Sequence, residues 1–176
     1  MKRICIFCGA RPGNDEYLAL AREVGAAIVR AGYGVTYGGG RVGLMGALAD
    51  GALAAGGEVI GVIPEALSGE EIAHRGITAL HVVGSMHERK ALLEKLSDAF
   101  IALPGGIGTM DEFCEMLTWR QLGIHRKPVA LLNHNGFYDN LIALFDEMLA
   151  QGFVPASTRA ELITERTIEA TLAAFI

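Results

Sequence analysis

Short apolar runs alternate with longer amphipathic ones along most of the chain. The runs at 3–8, 34–37, 59–63, 79–83, 99–103 and 129–133 predict strands. Several are continuous in Val, Ile and Leu, as strands covered on both faces require. Between the first two, Tyr17, Leu20, Ala21, Val24 and Ile28 recur at helical spacing, with Asn14 placed to cap the helix they predict. Further helices are predicted over 44–55, 86–97, 110–122 and 138–151. Beyond Pro155 follow a short apolar run at 161–164 and a small helix ending at Phe175. This alternation predicts an α/β fold, a doubly wound parallel sheet with helices on both faces. At 176 residues, with no internal repeat, low-complexity tract or linker, the whole chain is expected to form one domain.

Ligands of such sheets bind beyond the C-terminal ends of the strands, and three glycine-rich loops fall there. The first is Cys8-Gly9-Ala10-Arg11-Pro12-Gly13, the second runs from Gly38 to Gly46, and the third is Pro104-Gly105-Gly106-Ile107-Gly108-Thr109-Met110-Asp111-Glu112. Glycine lets backbone N–H groups approach a ligand closely. Gly38, Gly40 and Gly43 satisfy G-x-G-x-x-G, yet a dinucleotide fold also needs an acid at the end of the next strand. Glu58 stands at the start of that strand instead, and tight turns with close helix–sheet packing are the competing account of this loop. No G-x-x-x-x-G-K-[ST] occurs, which excludes a P-loop.

In the third loop, Thr109-x-x-Glu112 has the form of a capping box. The helix it opens would offer free N–H groups to an anion. Two carboxylates, Asp111 and Glu112, stand close to those groups. A phosphate on the backbone and Thr109, with a sugar beside the carboxylates, reconciles the two. A second capping pattern, Ser85-x-x-Glu88, opens a helix whose inward stripe carries Met86, Arg89, Leu93 and Leu96. A guanidinium on such a stripe needs an ion-pair partner or a polar cleft. Lys90 and Glu94 fall on another face, as a solvated i,i+4 pair.

Composition narrows the picture. A net charge of -5 argues against a general nucleic-acid binder, and no apolar run approaches the roughly 20 residues of a membrane span. The start of the chain, Lys2-Arg3 and then seven residues up to Arg11-Pro12, is too short for a secretory apolar region, so the cytoplasm is the expected location. A mean hydropathy of +0.34 is high and points to apolar surface that a homodimer would cover. Cys5 and Cys8 form C-x-x-C inside a strand-like run rather than at a helix N-terminus, which disfavours redox chemistry. The histidines at 74, 81, 87, 125 and 134 show no ligand spacing, so no metal is expected.

Met86-His87-Glu88-Arg89-Lys90, followed by Pro104 to Glu112, closely resembles the LOG (Lonely Guy) family, whose patterns M-H-x-R-K and P-G-G-x-G-T-x-x-E are both complete here. The resemblance extends through Tyr37-Gly38-Gly39-Gly40, Gly43-Leu44-Met45-Gly46, Thr118-Trp119 and Leu122-Gly123-Ile124-His125, covering roughly residues 3 to 155. It implies a Rossmann-like fold, a homodimer with active sites near the interface, and no metal or organic cofactor. The implied reaction cleaves the N-glycosidic bond of an N6-modified adenosine 5'-monophosphate to free base and ribose 5-phosphate. Arg89 and Glu112 match the family's catalytic pair, while Lys90 and Gly105, Gly106, Ile107, Gly108, Thr109 and Asp111 match its substrate-binding segment. Met86, Gly9, Gly39, Gly40 and Gly43 complete the expected ligand-facing set. Asp111 stands where glutamate is usual, Ile107 where an aromatic is common, and Ala10-Arg11 where the family has two serines; Arg11 is placed to substitute for the lost hydroxyl. The departures bear on base preference more than on reaction type. Two other classes compete: a non-catalytic nucleotide or molybdenum-cofactor carrier of related fold, and a pyridoxal-dependent lysine decarboxylase, for which only Lys2, Lys90, Lys95 and Lys127 could supply the Schiff base.

Overall fold

The computed structural model describes residues 2–69 and 72–175. Seven strands lie in one sheet: β1 (Arg3–Phe7), β2 (Gly34–Tyr37), β3 (Val59–Pro64), β4 (Ala79–Val83), β5 (Ala99–Ala102), β6 (Val129–Leu132) and β7 (Leu162–Glu165). Their order is β4-β3-β2-β1-β5-β6-β7, and every pairing is parallel. The helices are α1 (Asp15–Arg30), α2 (Gly43–Ala54), α3 (Met86–Leu96), α4 (Ile107–Gln121), α5 (Asp139–Ala150), α6 (Ala156–Glu161) and α7 (Ile168–Ala173). This is the Rossmann-like α/β arrangement, with strand order reversing between β1 and β5.

Alternation along the strands divides the core in two. Ile4 and Ile6 of β1, with Val35 and Tyr37 of β2, face α1, α2 and α7. Cys5 and Phe7, with Phe100 of β5, face the layer that contains Leu93 of α3, Phe113 of α4 and Phe145 of α5. Both sets are buried, which is why these strands read as continuous apolar runs.

Asn14 caps α1 as its position suggests, its Oδ1 accepting from the Tyr17 N–H at 3.1 Å. The run at 161–164 forms β7, while α6 was not foreseen. Its six residues, ASTRAE, are too few to show helical periodicity. Glu58, the acid that follows the G-x-G-x-x-G loop, lies just before β3 and pairs with Arg3 Nε at 2.7 Å. That is the N-terminal edge of the sheet, opposite the glycine loops.

Helices α1 and α2 pack with almost no space between their backbones. A Cβ on Gly51 would fall 2.0 Å from the Arg22 carbonyl oxygen, and one on Gly25 2.2 Å from that of Leu48. Helix propensity alone would make Gly51→Ala stabilising by about 1 kcal/mol. The clash is with backbone, which can be relieved only by parting the helices, at roughly 1–3 kcal/mol or more. Gly51→Ala is therefore expected to lower stability in urea unfolding, against the propensity trend.

Candidate active site

The reversal of strand order leaves a crevice between the C-terminal ends of β1 and β5. A cleft of about 280 Å³ opens there. The first glycine loop, Cys8 to Arg11, forms one wall, and Gly106, Gly108, Thr109, Asp111 and Glu112 form another. Met45, Met86 and Arg89 complete it. A neighbouring hollow of about 200 Å³ shares Gly9, Arg11 and Gly106 with this cleft and is otherwise bounded by Tyr17, Leu44, Phe137 and the Pro104-Gly105 turn among others.

Arg89 reaches the cleft because α3 starts where its capping pattern indicates. Ser85 Oγ accepts from the Glu88 N–H at 3.1 Å, although Glu88 Oε2 accepts from the Gly84 N–H at 2.8 Å rather than from that of Ser85. Arg89 then projects inward and is only 6% exposed. Its Nε donates to the Val62 carbonyl at 3.0 Å, and Nη1 lies 2.8 Å from Glu112 Oε1. The buried guanidinium thus has its counter-ion and a carbonyl acceptor, as such burial requires. Burial pushes the Glu112 carboxyl above its ordinary range, against the opposing pull of Arg89. Gly38 makes the geometry possible, since a Cβ there would stand 2.2 Å from Arg89 Nη2.

The third loop corrects one expectation. Helix α4 begins at Ile107, not Met110, and its cap is Gly106, with no side-chain bond. Thr109 and Glu112 are therefore not a capping box. Gly106 supplies the extended backbone that starts the helix a turn early, and the Met110 N–H already bonds to the Gly106 carbonyl at 3.1 Å. The N–H groups of the first turn face the crevice end of the helix without a capping side chain. Asp111 and Glu112 lie a turn further on, away from those N–H groups. Thr109 is buried over Gly105, where a Cβ would come 2.3 Å from its Oγ1. Ile107 is 87% exposed and does not line the cleft.

Lys90 is likewise not on a solvated face with Glu94. It is 8% exposed, and its Nζ lies 2.9 Å from Glu115 Oε2 and 3.3 Å from Asp111 Oδ2. Glu94 pairs instead with Lys127 at 2.5 Å. One residue beyond Arg89 turns the side chain about 100° around α3, toward the flank of α4.

Of the other expected ligand-facing residues, Met86, Gly9, Gly106, Gly108, Thr109 and Asp111 line the cleft and Gly105 the adjoining hollow. Gly39, Gly40 and Gly43 line neither. Gly39 and Gly43 have φ of +78° and +61°, and Gly43 abuts the Ala10 carbonyl. Gly40 bridges to Ala73.

Sequence reasoning missed four contributors: Gly38, Met45, the Val62 carbonyl and Tyr138. The buried Tyr138 hydroxyl donates to the Leu103 carbonyl at 2.5 Å and so holds the start of the third loop. His125, in the Leu122–His125 stretch, lies under α4 with Nε2 3.0 Å from the Met116 carbonyl. Burial holds its pKa down, and it lines neither the cleft nor the adjoining hollow.

The cleft thus joins a buried arginine–glutamate pair to a helix N-terminus that has no capping side chain, at the switch point of a Rossmann-like sheet. The family model described as "Possible lysine decarboxylase" matches residues 45–175. The chain is 50% identical to a cytokinin riboside 5'-monophosphate phosphoribohydrolase of Rhodococcoides fascians, over 98% of this chain and 88% of that protein. A phosphoribohydrolase of the same name from Arabidopsis thaliana is 44% identical, over 93% of this chain and 77% of that protein. The chain belongs to this LOG family of phosphoribohydrolases. Among solved structures, the molybdenum cofactor binding protein of Rippkaea orientalis superposes with a TM-score of 0.75 at 22% identity, over 98% of this chain and 94% of that one. The molybdenum cofactor carrier protein of Chlamydomonas reinhardtii gives 0.73 at 23%, with the same coverage. At these identities the likeness establishes the fold.

Gly38→Ala is expected to fold but to displace the Arg89 guanidinium, lowering turnover about 100-fold, as misplacement by about 1 Å does. Steady-state kinetics beside circular dichroism would show it. Cys5 and Cys8 are buried, and burial pushes the Cys5 thiol up to about 12 and Cys8 higher still, whereas Cys114 is exposed. A thiol reagent should titrate Cys114 alone in the native protein and all three cysteines after unfolding.

Proposed function

We propose that this chain is a phosphoribohydrolase that cleaves the N-glycosidic bond of a nucleoside 5'-monophosphate, an N6-modified adenosine monophosphate being the substrate class its relatives' names indicate. The observation that carries the reading is the Arg89–Glu112 pair, buried at the base of the switch-point cleft with the α4 N-terminus beside it.

The chemistry follows from that geometry. The 5'-phosphate binds the first-turn N–H groups of α4, the Gly9 turn and Thr109, with Arg11 at the mouth. Met45 and Met86 offer a soft apolar wall to the base. Breaking the bond from the anomeric carbon to the base nitrogen leaves an oxocarbenium-like ribosyl group, which the Glu112 carboxylate stabilises. Glu112 also takes a proton from the attacking water, whose oxygen bonds to the anomeric carbon; the base leaves with its electron pair and gains that proton. Arg89 holds Glu112 in place and in its ionised form. No organic cofactor or metal is needed for these steps.

The fold likeness to molybdenum-cofactor proteins supports a second reading, a non-catalytic carrier. Such a carrier has no need of a buried arginine–glutamate pair. A lysine decarboxylase is disfavoured, because among the described residues no lysine lines either the cleft or the adjoining hollow. We also read the chain as one domain acting as a cytoplasmic homodimer, independent of membranes and nucleic acid. The exposure of Leu122, Ile124 and Phe153, the last at 80%, supports an apolar mating surface. No helix among the described residues is long and apolar enough to cross a membrane.

Chromatography of bases released from a panel of nucleoside 5'-monophosphates tests the reading. The wild type should release base, and Glu112→Gln should lose roughly 10²–10⁴-fold in kcat. Ligand binding without release would favour the carrier. Because Glu112 works ionised and burial raises its pKa, the rate should fall as pH drops through a value above the ordinary 4.5. The pH–rate profile should lose that acid limb in Glu112→Gln.

A further inference from the structure

We propose that Glu115 is a positioning residue of the reaction, acting through Lys90 on Asp111. The inference rests on the phosphoribohydrolase reading and reassigns Lys90 from a ligand of the substrate to a member of the supporting frame. Asp111 and Glu115 stand one turn apart on the same flank of α4. Lys90 Nζ sits between them, nearer to Glu115 at 2.9 Å than to Asp111 at 3.3 Å.

The three side chains differ in the way a relay requires. Asp111 lines the cleft and is 56% exposed, free to meet a ribose hydroxyl. Glu115 is 23% exposed, and neither it nor Lys90 lines the cleft. The buried Lys90 ammonium remains charged, because its ion pairs with Glu115 and Asp111 outweigh the cost of burial and hold its pKa above the ordinary value. Glu115 therefore fixes the ammonium, and the ammonium fixes the rotamer of Asp111. The contact also offsets like-charge repulsion among Asp111, Glu112 and Glu115 on one helix. Asp111 carries one methylene fewer than glutamate, so its carboxylate can meet Lys90 only if the ammonium is held close to α4, which is what Glu115 does.

A double-mutant cycle on Asp111→Asn and Glu115→Gln, read as kcat and KM for AMP, tests this. Glu115→Gln should lower kcat about 10-fold with KM changed less than about threefold, the signature of misplacement rather than lost binding. The double variant should be no worse than Asp111→Asn alone. Lys90→Met should resemble Asp111→Asn, and Lys90→Arg should recover part of the loss. The proposal is overturned if Glu115→Gln lowers thermal stability without changing kcat, or if the two losses multiply. It is also overturned if Lys90→Met raises KM for AMP but not for adenosine, the mark of a direct phosphate contact. Should the wild type release no base from any monophosphate, the phosphoribohydrolase reading fails by itself. Glu115 then has no reaction to position, and this proposal falls with it.

Discussion

A charge buried in a protein must be answered where it stands, and the Arg89–Glu112 pair imposes that demand on everything around it. The guanidinium takes a strand carbonyl from Val62 and a carboxylate from α4, and it excludes any side chain at Gly38. Three separate elements are thereby committed to one point in the crevice. Removing either ion would strand the other in a poorly solvated place. The pair ties the register of α3 against α4 to the chemistry of the cleft, and the packing of one layer of the core becomes a condition of function.

The sheet determines where that point falls. Because strand order reverses between β1 and β5, their loops diverge and leave a crevice, while Gly39 and Gly40 after β2 are buried. The first and third glycine loops consequently supply the cleft walls, and most of the second becomes packing. Chemistry collects at the C-terminal edge of the strands, and the Arg3–Glu58 pair closes the opposite edge.

Much of this was legible in the sequence because the strands are buried on both faces and the helix stripes are regular. Strand boundaries at Gly34–Tyr37 and Ala79–Val83 match, and Arg89 could be placed inward from its stripe alone. What failed was local. Thr109-x-x-Glu112 satisfies a capping pattern, but a pattern cannot say which turn of a helix it occupies; extended Gly106 moved the start by three residues. The Lys90–Glu94 spacing suits a surface pair, yet tertiary placement gave Lys90 two acids on α4 and gave Glu94 to Lys127. The G-x-G-x-x-G motif carries no information on strand order, so its glycines could not be sorted into ligand-facing and structural. Gly38 and Tyr138 act across distances in sequence that no local motif spans.

The hydroxyl of Tyr138 on the Leu103 carbonyl has a bearing on how such a site can diversify. It secures the approach to the Pro104-Gly105 turn from behind, at a residue that neither the cleft nor the adjoining hollow exposes. Side chains beyond that turn, cleft-lining Asp111 among them, can then vary without loosening the backbone that carries them. Anchor and variable surface are physically separate. That separation lets descendants of one scaffold acquire different ligand preferences while inheriting an unchanged catalytic frame.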